Sequence, residues 1–393
     1  MKLKPLTVLA DDLTGACELA AIGHNWGLET AVQTCLETQP EAADLVVYDT
    51  ETRLDPPAVA GEKLRELALR IRDRQPQRLL YKKTDSVVRG PIAAELEALL
   101  EVLPFQRAFF IPSNPGMGRV VRDGFYRING VPLHETGFSG DLHHPARSSL
   151  VVELLGPVGD RKVHPVPAGQ DPPESGVIIG DAGSEADLDQ WAARLDGQTL
   201  PAGAASFFRA ILRRQRGEAP GPTSPPMVQG RTLLISGTTD PGQQAVLEGM
   251  SRSGFPSVRR SLAQLDDTGS HGWAGQIRTL LQRESRCLAH VDSSMAPDPA
   301  RANLVREALA DMAANVLRDG SIGHLVVEGG ATAAAICQAM GWDRFTVAHA
   351  WAQGIVSLRP VRNPAPLFTL KPGSYAWPDS FKSILTGDTA GQS

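Results

Sequence analysis

The sequence predicts an α/β protein of two domains, each with a mostly parallel, helix-covered sheet, facing one another across an interdomain cleft. Short apolar runs alternate with amphipathic helical stretches in both halves, a pattern typical of parallel sheets with helices on their faces. The length of 393 residues exceeds that of an ordinary single domain. A stretch rich in proline and glycine also interrupts the alternation near the middle of the chain.

The first half shows the clearer alternation of elements. Strands are predicted at Thr7–Ala10, Asp44–Tyr48, Arg78–Tyr81, Ala108–Pro112 and Val177–Ile179. Helices are predicted at Ala16–Trp26, Pro57–Asp73, Pro91–Leu103 and Glu185–Leu195. We therefore expect a first domain over residues 1–215.

A linker is predicted over residues 216–229, because glycine and proline gather there and the apolar pattern stops. The second domain is expected over residues 230–393. Its predicted strands are Arg231–Ile235, His290–Val291 and His324–Glu328, and its predicted helices are Pro299–Leu317 and Ala331–Met340. Alternation thus resumes after the linker, which predicts a second α/β domain.

Composition and charge exclude several classes of protein. The net charge is −5 and the sequence pI is about 6.0, so nucleic acid is not an expected partner. The four cysteines form no CxxC pair and no zinc-site spacing. Neither a signal peptide nor an apolar run of membrane-spanning length is found. We expect a cytoplasmic protein without a membrane partner.

Two adjacent carboxylates, Asp11 and Asp12, follow the first predicted strand and precede Thr14, Gly15 and a helix. Ligands of an open parallel sheet lie outside the carboxyl ends of its strands. A carboxylate pair there can accept protons from hydroxyls, hold a metal or act as a base. One aspartate alone would be explained as a helix cap. Two aspartates in this setting favour a functional site.

A second polar turn follows the third predicted strand and precedes the helix that begins near Pro91. It contains Lys83, Asp85, Ser86 and Arg89. Lysine and arginine beside an aspartate suit an anionic, hydroxylated substrate, because arginine binds a carboxylate with two parallel hydrogen bonds. A solvated basic loop is the alternative, and the order of these four residues before a helix makes it the weaker interpretation.

The segments Ala10–Ala16 (ADDLTGA) and Lys82–Gly90 (KKTDSVVRG) resemble the two N-terminal signatures of the four-carbon acid sugar kinase family. A third segment, Ile111–Arg119, agrees with the family, as do Asp123–Tyr126 and Gly130–Leu133. The order and spacing of these motifs cover most of the first half of the chain.

The resemblance implies a first domain that binds an acid sugar and a second that binds ATP. It implies phosphoryl transfer to a hydroxyl of a four-carbon acid such as threonate, erythronate or an oxo-tetronate. Asp12 is then expected to orient or deprotonate that hydroxyl, with Asp85 as the rival candidate. The expected substrate-binding residues are Asp11, Arg53, Lys83, Ser86, Arg89, Asn114 and Arg119. For Arg53 a plain surface position is an equally good interpretation.

Two small-residue turns in the second half lie where the family has its nucleotide-binding motifs. The residues expected to contact ATP are Ser236, Gly329, Gly330, Thr332, Lys371 and Gly373. Glycines let the backbone approach phosphate, and a helix N-terminus favours an anion. Mg²⁺ is expected with ATP because it neutralises the polyphosphate, although the sequence identifies no metal ligand. There is no GxxxxGK[ST] segment, which excludes a P-loop kinase.

The second half also departs from the family pattern. Ala331 stands where the family has an acidic residue, and Tyr375-Ala376 replaces a final aromatic-glycine pair. A non-catalytic sugar-acid sensor with a degenerate nucleotide site is therefore the alternative hypothesis. An NAD-dependent enzyme is disfavoured, because acidic residues stand where a GxGxxG turn would be.

Three histidines, His134, His143 and His144, fall close together after the third motif. Without cysteines or an HExxH pattern beside them, they are interpreted as loop residues, with a substrate contact at His144 as a hypothesis. The expected partner of the protein is a small sugar acid. A twofold homodimer is the expected assembly because it is the commonest among soluble oligomers.

Overall fold

The computed structural model describes residues 5–36, 43–74, 78–141, 143–221, 224–228, 230–238, 241–261, 264–265, 270–292, 299–361, 366–373 and 375–381. It divides the chain into two compact units, Met1–Gly221 and Pro222–Ser393. This division falls inside the segment 216–229. The two units are described separately below.

Strands occur throughout the first unit. They are β1 (Leu6–Ala10), β2 (Thr30–Gln33), β3 (Leu45–Asp49), β4 (Leu79–Lys83), β5 (Arg107–Ile111), β6 (Arg119–Arg122), β7 (Phe125–Ile128), β8 (Val131–Pro132), β9 (Val163–Val166), β10 (Gly176–Gly180) and β11 (Thr199–Gly203). The helices between them are α1 (Leu13–Asn25), α2 (Pro57–Arg74), α3 (Ile92–Val102), α4 (Val151–Leu155), α5 (Glu185–Ala193) and α6 (Ala205–Arg216). These bounds confirm every strand and helix that the sequence predicts in this half, within a few residues.

The main sheet of the first unit has the strand order β2-β3-β1-β4-β11-β5-β10-β9, and each of these neighbouring pairs is parallel. Strands β6, β7 and β8 form a separate antiparallel sheet. From β1 the chain continues to β2 on one side, whereas β4 lies on the other side of β1. The edge between β1 and β4 is therefore a topological switch point, where open α/β sheets bind their ligands.

The register of the strands sets which loops meet at this edge. Ala10 pairs with Asp49 on one side and with Lys83 on the other. Gly203 pairs with Lys83 and with Ile111. The segments that follow β1, β3, β4, β5 and β11 therefore leave the sheet side by side. A buried apolar core, with Leu9, Val46 and Phe110 among its members, holds the strands in place.

The second unit is also a mostly parallel sheet covered by helices, as predicted. Its strands are β12 (Arg231–Ser236), β13 (Ser257–Ser261), β14 (Arg286–Asp292), β15 (Ile322–Glu328), β16 (Arg344–Ala352), β17 (Ile355–Pro360) and β18 (Leu367–Lys371). Its helices are α7 (Pro241–Arg252), α8 (Ser270–Arg283), α9 (Pro299–Leu317) and α10 (Gly330–Met340).

The strand order in this unit is β13-β14-β12-β15-β18-β17-β16. Strands β13, β14, β12, β15 and β18 pair in parallel, whereas β17 is antiparallel to both β18 and β16. Glu328 pairs with Lys371, and Ser236 pairs with Glu328. The predicted nucleotide-binding residues thus include neighbours at the carboxyl ends of three adjacent strands.

Candidate active site

Arg53 joins the two adjacent aspartates at the end of β1. Its Nε lies 2.8 Å from Oδ2 of Asp11, and its Nη1 lies 2.6 Å from Oδ2 of Asp12. The Arg53 side chain is 18% exposed, so it is not the plain surface arginine of the alternative interpretation. Burial alone would raise the pKa of Asp11, but Arg53 and then Lys82 outweigh it and hold that pKa below its usual value. Asp11 is therefore a carboxylate.

Asp12 is also the N-cap of α1. Its Oδ1 accepts a hydrogen bond of 2.7 Å from the backbone N–H of Gly15. The capping interpretation is thus correct for one oxygen, while the other oxygen faces Arg53. The Asp12 side chain keeps 19% of its surface exposed, so a bound hydroxyl can reach it. Oδ1 of Asp11, in contrast, is buried and has no donor among the residues that the structure describes.

Lys83 lies against the first turn of α1. Its Nζ donates a hydrogen bond of 2.8 Å to the carbonyl of Thr84, and no carboxylate in the described residues lies within ion-pair distance of it. A Cβ added to Gly15 would lie 3.2 Å from Nζ of Lys83 and 2.8 Å from Oδ1 of Asp12. Gly15 therefore allows the lysine, the capping carboxylate and the helix to approach one another.

We expect Gly15→Ala to impair the site because the new methyl group would displace either Asp12 or Lys83. Alanine is worth up to about 1 kcal/mol more than glycine in a helix, so the loss should appear in activity despite the better helix propensity. Gly275→Ala is the matched control, since a Cβ at that helical glycine would meet nothing within 4 Å. Steady-state kinetics with the sugar acid would contradict the prediction if both variants behaved like the wild type.

The carboxylate of Asp85 accepts hydrogen bonds from Arg89 and from the backbone. Arg89 contacts both carboxylate oxygens of Asp85 at 2.9 Å, and the N–H groups of Val87 and Arg89 also donate to Oδ2. Arg89 in turn donates a 3.0 Å hydrogen bond to Asp141. Burial would raise the pKa of Asp85, but Arg89 and Arg53 outweigh it and hold the pKa well below its usual range. Such a carboxylate is a weak base.

The lowered pKa of Asp85 gives a pH dependence with a definite sign. The ionised carboxylate contributes stability that is fully present above the ordinary aspartate pKa of about 3.9 and is lost as the pH falls toward the folded-state value. In Asp85→Asn we expect a free energy of unfolding that depends less on pH below about 3.9. Denaturant titrations at several acidic pH values measure this, and an unchanged pH dependence would contradict it.

Arg119 and Arg89 lie over the same aromatic ring. The guanidinium carbon of Arg89 is 5.5 Å from the centroid of Phe138, and that of Arg119 is 5.7 Å from it. Arg119 donates a hydrogen bond to the hydroxyl of Ser86, and the described residues place no carboxylate within ion-pair distance of it. Arg119 is only partly buried. It is therefore a cation near Ser86 without a carboxylate partner in the part of the chain that the structure describes.

The loop that carries Phe138 is tied to both neighbouring turns. The N–H of His144 donates to Asp141 at 2.9 Å, and the imidazole Nε2 of His144 lies 3.0 Å from the carbonyl oxygen of Arg53. With the Arg89–Asp141 ion pair, these contacts hold the loop against the turns after β3 and β4. A cavity of about 160 Å³ lined by Arg89, Phe138 and His144 lies beneath it. His144 thus contacts the chain next to the predicted site.

Asn114, the other predicted substrate contact, is buried at the end of β5. Its Oδ1 accepts a hydrogen bond of 2.6 Å from the hydroxyl of Ser206 on α6. Its backbone bonds to Arg119 in both directions. In this arrangement Asn114 supports the position of Arg119, and a direct substrate contact stays a prediction.

Two features of this edge were not expected from sequence. Lys82 and Glu95 form a fully buried ion pair at 3.0 Å, with the hydroxyl of Thr52 donating to the same carboxylate oxygen at 2.6 Å.

Asp49, which ends β3 beside Ala10, is also buried. Burial, followed by the nearby carboxyl groups of Glu51 and Asp12, raises the pKa of Asp49 well above its usual value. A signal was available, since Asp49 directly follows the predicted strand Asp44–Tyr48.

In the second unit, Lys371 and Glu328 form a buried ion pair. Nζ of Lys371 lies 2.6 Å from Oε1 of Glu328, and both side chains have no exposed surface. Ser236 donates a hydrogen bond of 2.9 Å to Oε2 of the same glutamate. Lys371, the charged residue predicted to contact the nucleotide, is therefore neutralised within the protein. A direct contact between Lys371 and phosphate would require the pair to open.

Gly329 and Gly330 form the entry to α10. Gly329 is the N-cap with a φ of 108°, a conformation that favours glycine, and its N–H donates to the carbonyl of Lys371 at 2.9 Å. Thr332 is buried in the first turn. Gly373 lies just past the end of β18, where a Cβ would meet nothing within 4 Å. The turn exposes helix N–H groups at one point, which is the geometry that favours an anion.

The described residues contain no group of three or more histidine, cysteine, aspartate or glutamate side chains arranged to hold a metal ion. Mg²⁺ in kinases is often bound by substrate phosphates, water and only one or two carboxylates. Among the described helices, none has both the length and the apolar character needed to cross a membrane.

Two family models match the chain. The sugar-binding N-terminal domain model matches residues 6–211, and the nucleotide-binding C-terminal domain model matches residues 260–380. The first match covers more than half of the chain. A solved structure of a Haemophilus influenzae protein has the same fold, with a TM-score of 0.73 at 20% identity over 98% of this chain and 100% of that one.

Three curated relatives are named as kinases. A D-threonate kinase of Salmonella typhimurium is 32% identical over 38% of this chain and 36% of its own length. A D-erythronate kinase of Heliobacterium modesticaldum is 25% identical over 85% of each chain. A 3-oxo-tetronate kinase of Methylobacterium radiotolerans is 27% identical over 97% of this chain and 98% of its own. These matches give no support to the sensor hypothesis.

The fold, the polar edge at the switch point and the two family models agree with one another. They confirm the resemblance to the kinase family that the motifs of the first half indicate. The chain therefore belongs to the family of sugar-acid kinases with a sugar-binding N-terminal domain and an ATP-using, nucleotide-binding C-terminal domain.

Proposed function

We propose that this protein transfers the γ-phosphoryl group of ATP to a hydroxyl of a four-carbon sugar acid. D-threonate, D-erythronate and 3-oxo-tetronate are the acids named for its relatives, and they define the class. The observation that carries the proposal is Arg119, a partly exposed cation without a carboxylate partner in the described residues, at the same sheet edge as Asp12. A hydroxylated acid would give Arg119 a carboxylate to bind and would bring a hydroxyl group to Asp12.

The cations at this edge divide into two groups. Arg53 and Arg89 are already paired with carboxylates, so their role is to hold Asp11, Asp12 and Asp85 in place. Arg119 is the proposed anchor for the substrate carboxylate, since an arginine fork suits a carboxylate. Lys83, whose ammonium group donates to the Thr84 carbonyl and forms no ion pair within the described residues, is proposed to bind an adjacent oxygen of the acid, together with Ser86.

Asp12 is the better candidate for the residue that accepts the proton of the reacting hydroxyl. One of its oxygens caps α1 and the other meets one Arg53 nitrogen, and part of its surface stays open. Asp85 is enclosed by four hydrogen bonds that favour its ionised form and make it a poorer base. We therefore assign proton transfer to Asp12 and an organising role to Asp85.

ATP is proposed to bind in the second unit, with its phosphates at the turn of Gly329 and Gly330 and near Thr332. A bound Mg²⁺ would neutralise charge on the polyphosphate. The residues present fit this arrangement, because the turn offers backbone N–H groups to an anion without a competing exposed carboxylate from Glu328. Ser236 and Lys371 would support the turn through Glu328.

Phe138 provides a test of the proposed anchor. Phe138→Leu removes the ring shared by Arg89 and Arg119, and cation–π contacts are each worth about 0.5–2 kcal/mol. We expect the KM for the acid to rise by about 5- to 30-fold with kcat and the KM for ATP nearly unchanged. Phe138→Tyr keeps a ring and is the matched control. A loss confined to kcat would contradict this role.

The direct test of the proposed function is ADP release with ATP and Mg²⁺ across stereoisomers of threonate, erythronate and oxo-tetronate. Turnover with one acid, absent without it, would support the kinase and identify its substrate. Binding of an acid, seen as a raised melting temperature, without turnover on any acid would overturn the catalytic proposal and restore the sensor hypothesis.

A cytoplasmic location and a twofold homodimer complete the proposal. Both stay predictions from the sequence, the homodimer because twofold assemblies are the commonest among soluble oligomers. Analytical ultracentrifugation of the full chain would test the dimer, and a sedimentation coefficient that stays monomeric at high concentration would contradict it.

A further inference from the structure

A second cavity, of about 590 Å³, lies in the first unit at the amino ends of β1, β4 and β11. Its walls are mostly apolar and include Tyr81, Leu103, Phe105, Phe208 and Ile211. Its volume falls within the range of about 300–1,000 Å³ that is usual for small-molecule sites. An apolar ligand placed here would gain free energy from the surface it removes from water.

This cavity is distinct from the candidate active site. Leu79 lines the cavity and begins β4, whereas Lys83 ends β4 at the opposite edge of the sheet. Because a strand rises about 3.3 Å per residue, roughly 13 Å of strand separates these two residues. A ligand in the cavity would therefore leave the sugar-acid residues uncovered.

Of the charged residues that line the cavity, one cation forms no ion pair within the described part of the chain. Asp196 pairs with Arg107 at 2.9 Å, and Arg72 pairs with Asp73 at 2.9 Å. Arg78, in contrast, has no carboxylate within ion-pair distance among the residues that the structure describes. Arg78 is thus the lining residue that gives the cavity a net positive charge.

Arg78 is also incompletely hydrogen-bonded. One of its Nη groups donates to the carbonyl of Ala43 at 2.7 Å, but its Nε is buried and has no acceptor within the described residues. Burial lowers the pKa of this guanidinium, which shows that the surroundings disfavour its charge. An anion in the cavity would stabilise the positive charge that these surroundings disfavour.

We propose that this cavity binds a small amphipathic carboxylate, with Arg78 holding the carboxylate and the apolar walls enclosing the hydrocarbon part. A carboxylate suits Arg78 because the guanidinium group carries N–H donors beyond the one bonded to Ala43, and because it would balance the positive charge. The site is independent of the proposed kinase activity, since none of its residues belongs to the sugar-acid site or to the nucleotide site.

Octanoate is a suitable probe, with octanamide as its uncharged counterpart of the same length. Isothermal titration calorimetry of the full chain should show one octanoate site and binding of octanamide at least tenfold weaker. Arg78→Gln should weaken octanoate at least tenfold while leaving octanamide unchanged. Arg74→Gln, which removes a neighbouring arginine that does not line the cavity, should bind octanoate like the wild type.

Ile211→Trp tests the location, because the larger side chain would fill the cavity and abolish binding of both probes. Circular dichroism and sugar-acid binding would show that each variant is folded. No octanoate binding up to its solubility limit would overturn the proposal. Equal affinities for octanoate and octanamide, or octanoate binding that survives both Arg78→Gln and Ile211→Trp, would overturn it as well.

Discussion

Asp12→Asn is expected to reduce turnover of the sugar acid by about 10²- to 10⁴-fold, the usual contribution of a general base. The substitution removes the proton acceptor but retains a side-chain oxygen that can accept from Gly15. Asparagine and aspartate are about equally good N-caps, so α1 should stay intact. The loss should therefore appear in kcat, with the melting temperature and the KM for ATP close to those of the wild type.

A comparison with Asp12→Ala separates the two roles of this residue. Alanine removes the cap as well as the carboxylate, and loss of a cap costs about 0.5–2 kcal/mol of stability. We expect both variants to be equally slow, with only the alanine variant destabilised. If Asp12→Asn kept most of the turnover, Asp12 would be a structural cap, and the buried Asp49 beside it would be the next carboxyl group to test.

The sequence predicted the sheet edge correctly because local signals define it. Asp11 and Asp12 follow an apolar strand directly, and the turn from Lys83 to Arg89 precedes an obvious helix. Which strands lie side by side determines what these turns contact, and that depends on non-local register. Arg53 is an example. The residues around it in the sequence do not indicate that it bridges Asp11 and Asp12, because this contact arises from the pairing of β1 with β3.

Elements with weak local patterns were missed. Strand β2 has only four residues, and β11 contains Pro201, which argues against a strand when read locally. Strands β16 and β17 follow one another without a helix between them and pair antiparallel, so they depart from the predicted alternation of strand and helix. The role of Phe138 is not visible in the sequence, because a ring between two arginines from distant turns arises from tertiary packing.

Lys371→Met is expected to destabilise the protein by about 3–5 kcal/mol, because it leaves Glu328 buried without its cation. Combining Lys371→Met with Glu328→Gln should restore most of that loss, since the amide introduced at position 328 is uncharged and can still accept from Ser236. Lys63→Met, which breaks the partly exposed pair with Asp55, is the control and should cost at most about 1 kcal/mol. Denaturant unfolding measures all of these differences.

The same double variant also decides what Lys371 does for the nucleotide. Its ammonium group is fully buried, is neutralised by Glu328 and lies 5.2 Å from the ring centroid of Trp377. If the pair only holds β15 and β18 in register, so that Gly329 keeps its contact with the Lys371 carbonyl, the double variant should regain a normal KM for ATP. We expect this outcome, because a buried and paired cation has little charge to offer a phosphate. A KM for ATP that stays high after stability has recovered would instead establish the direct contact that the sequence motif predicts.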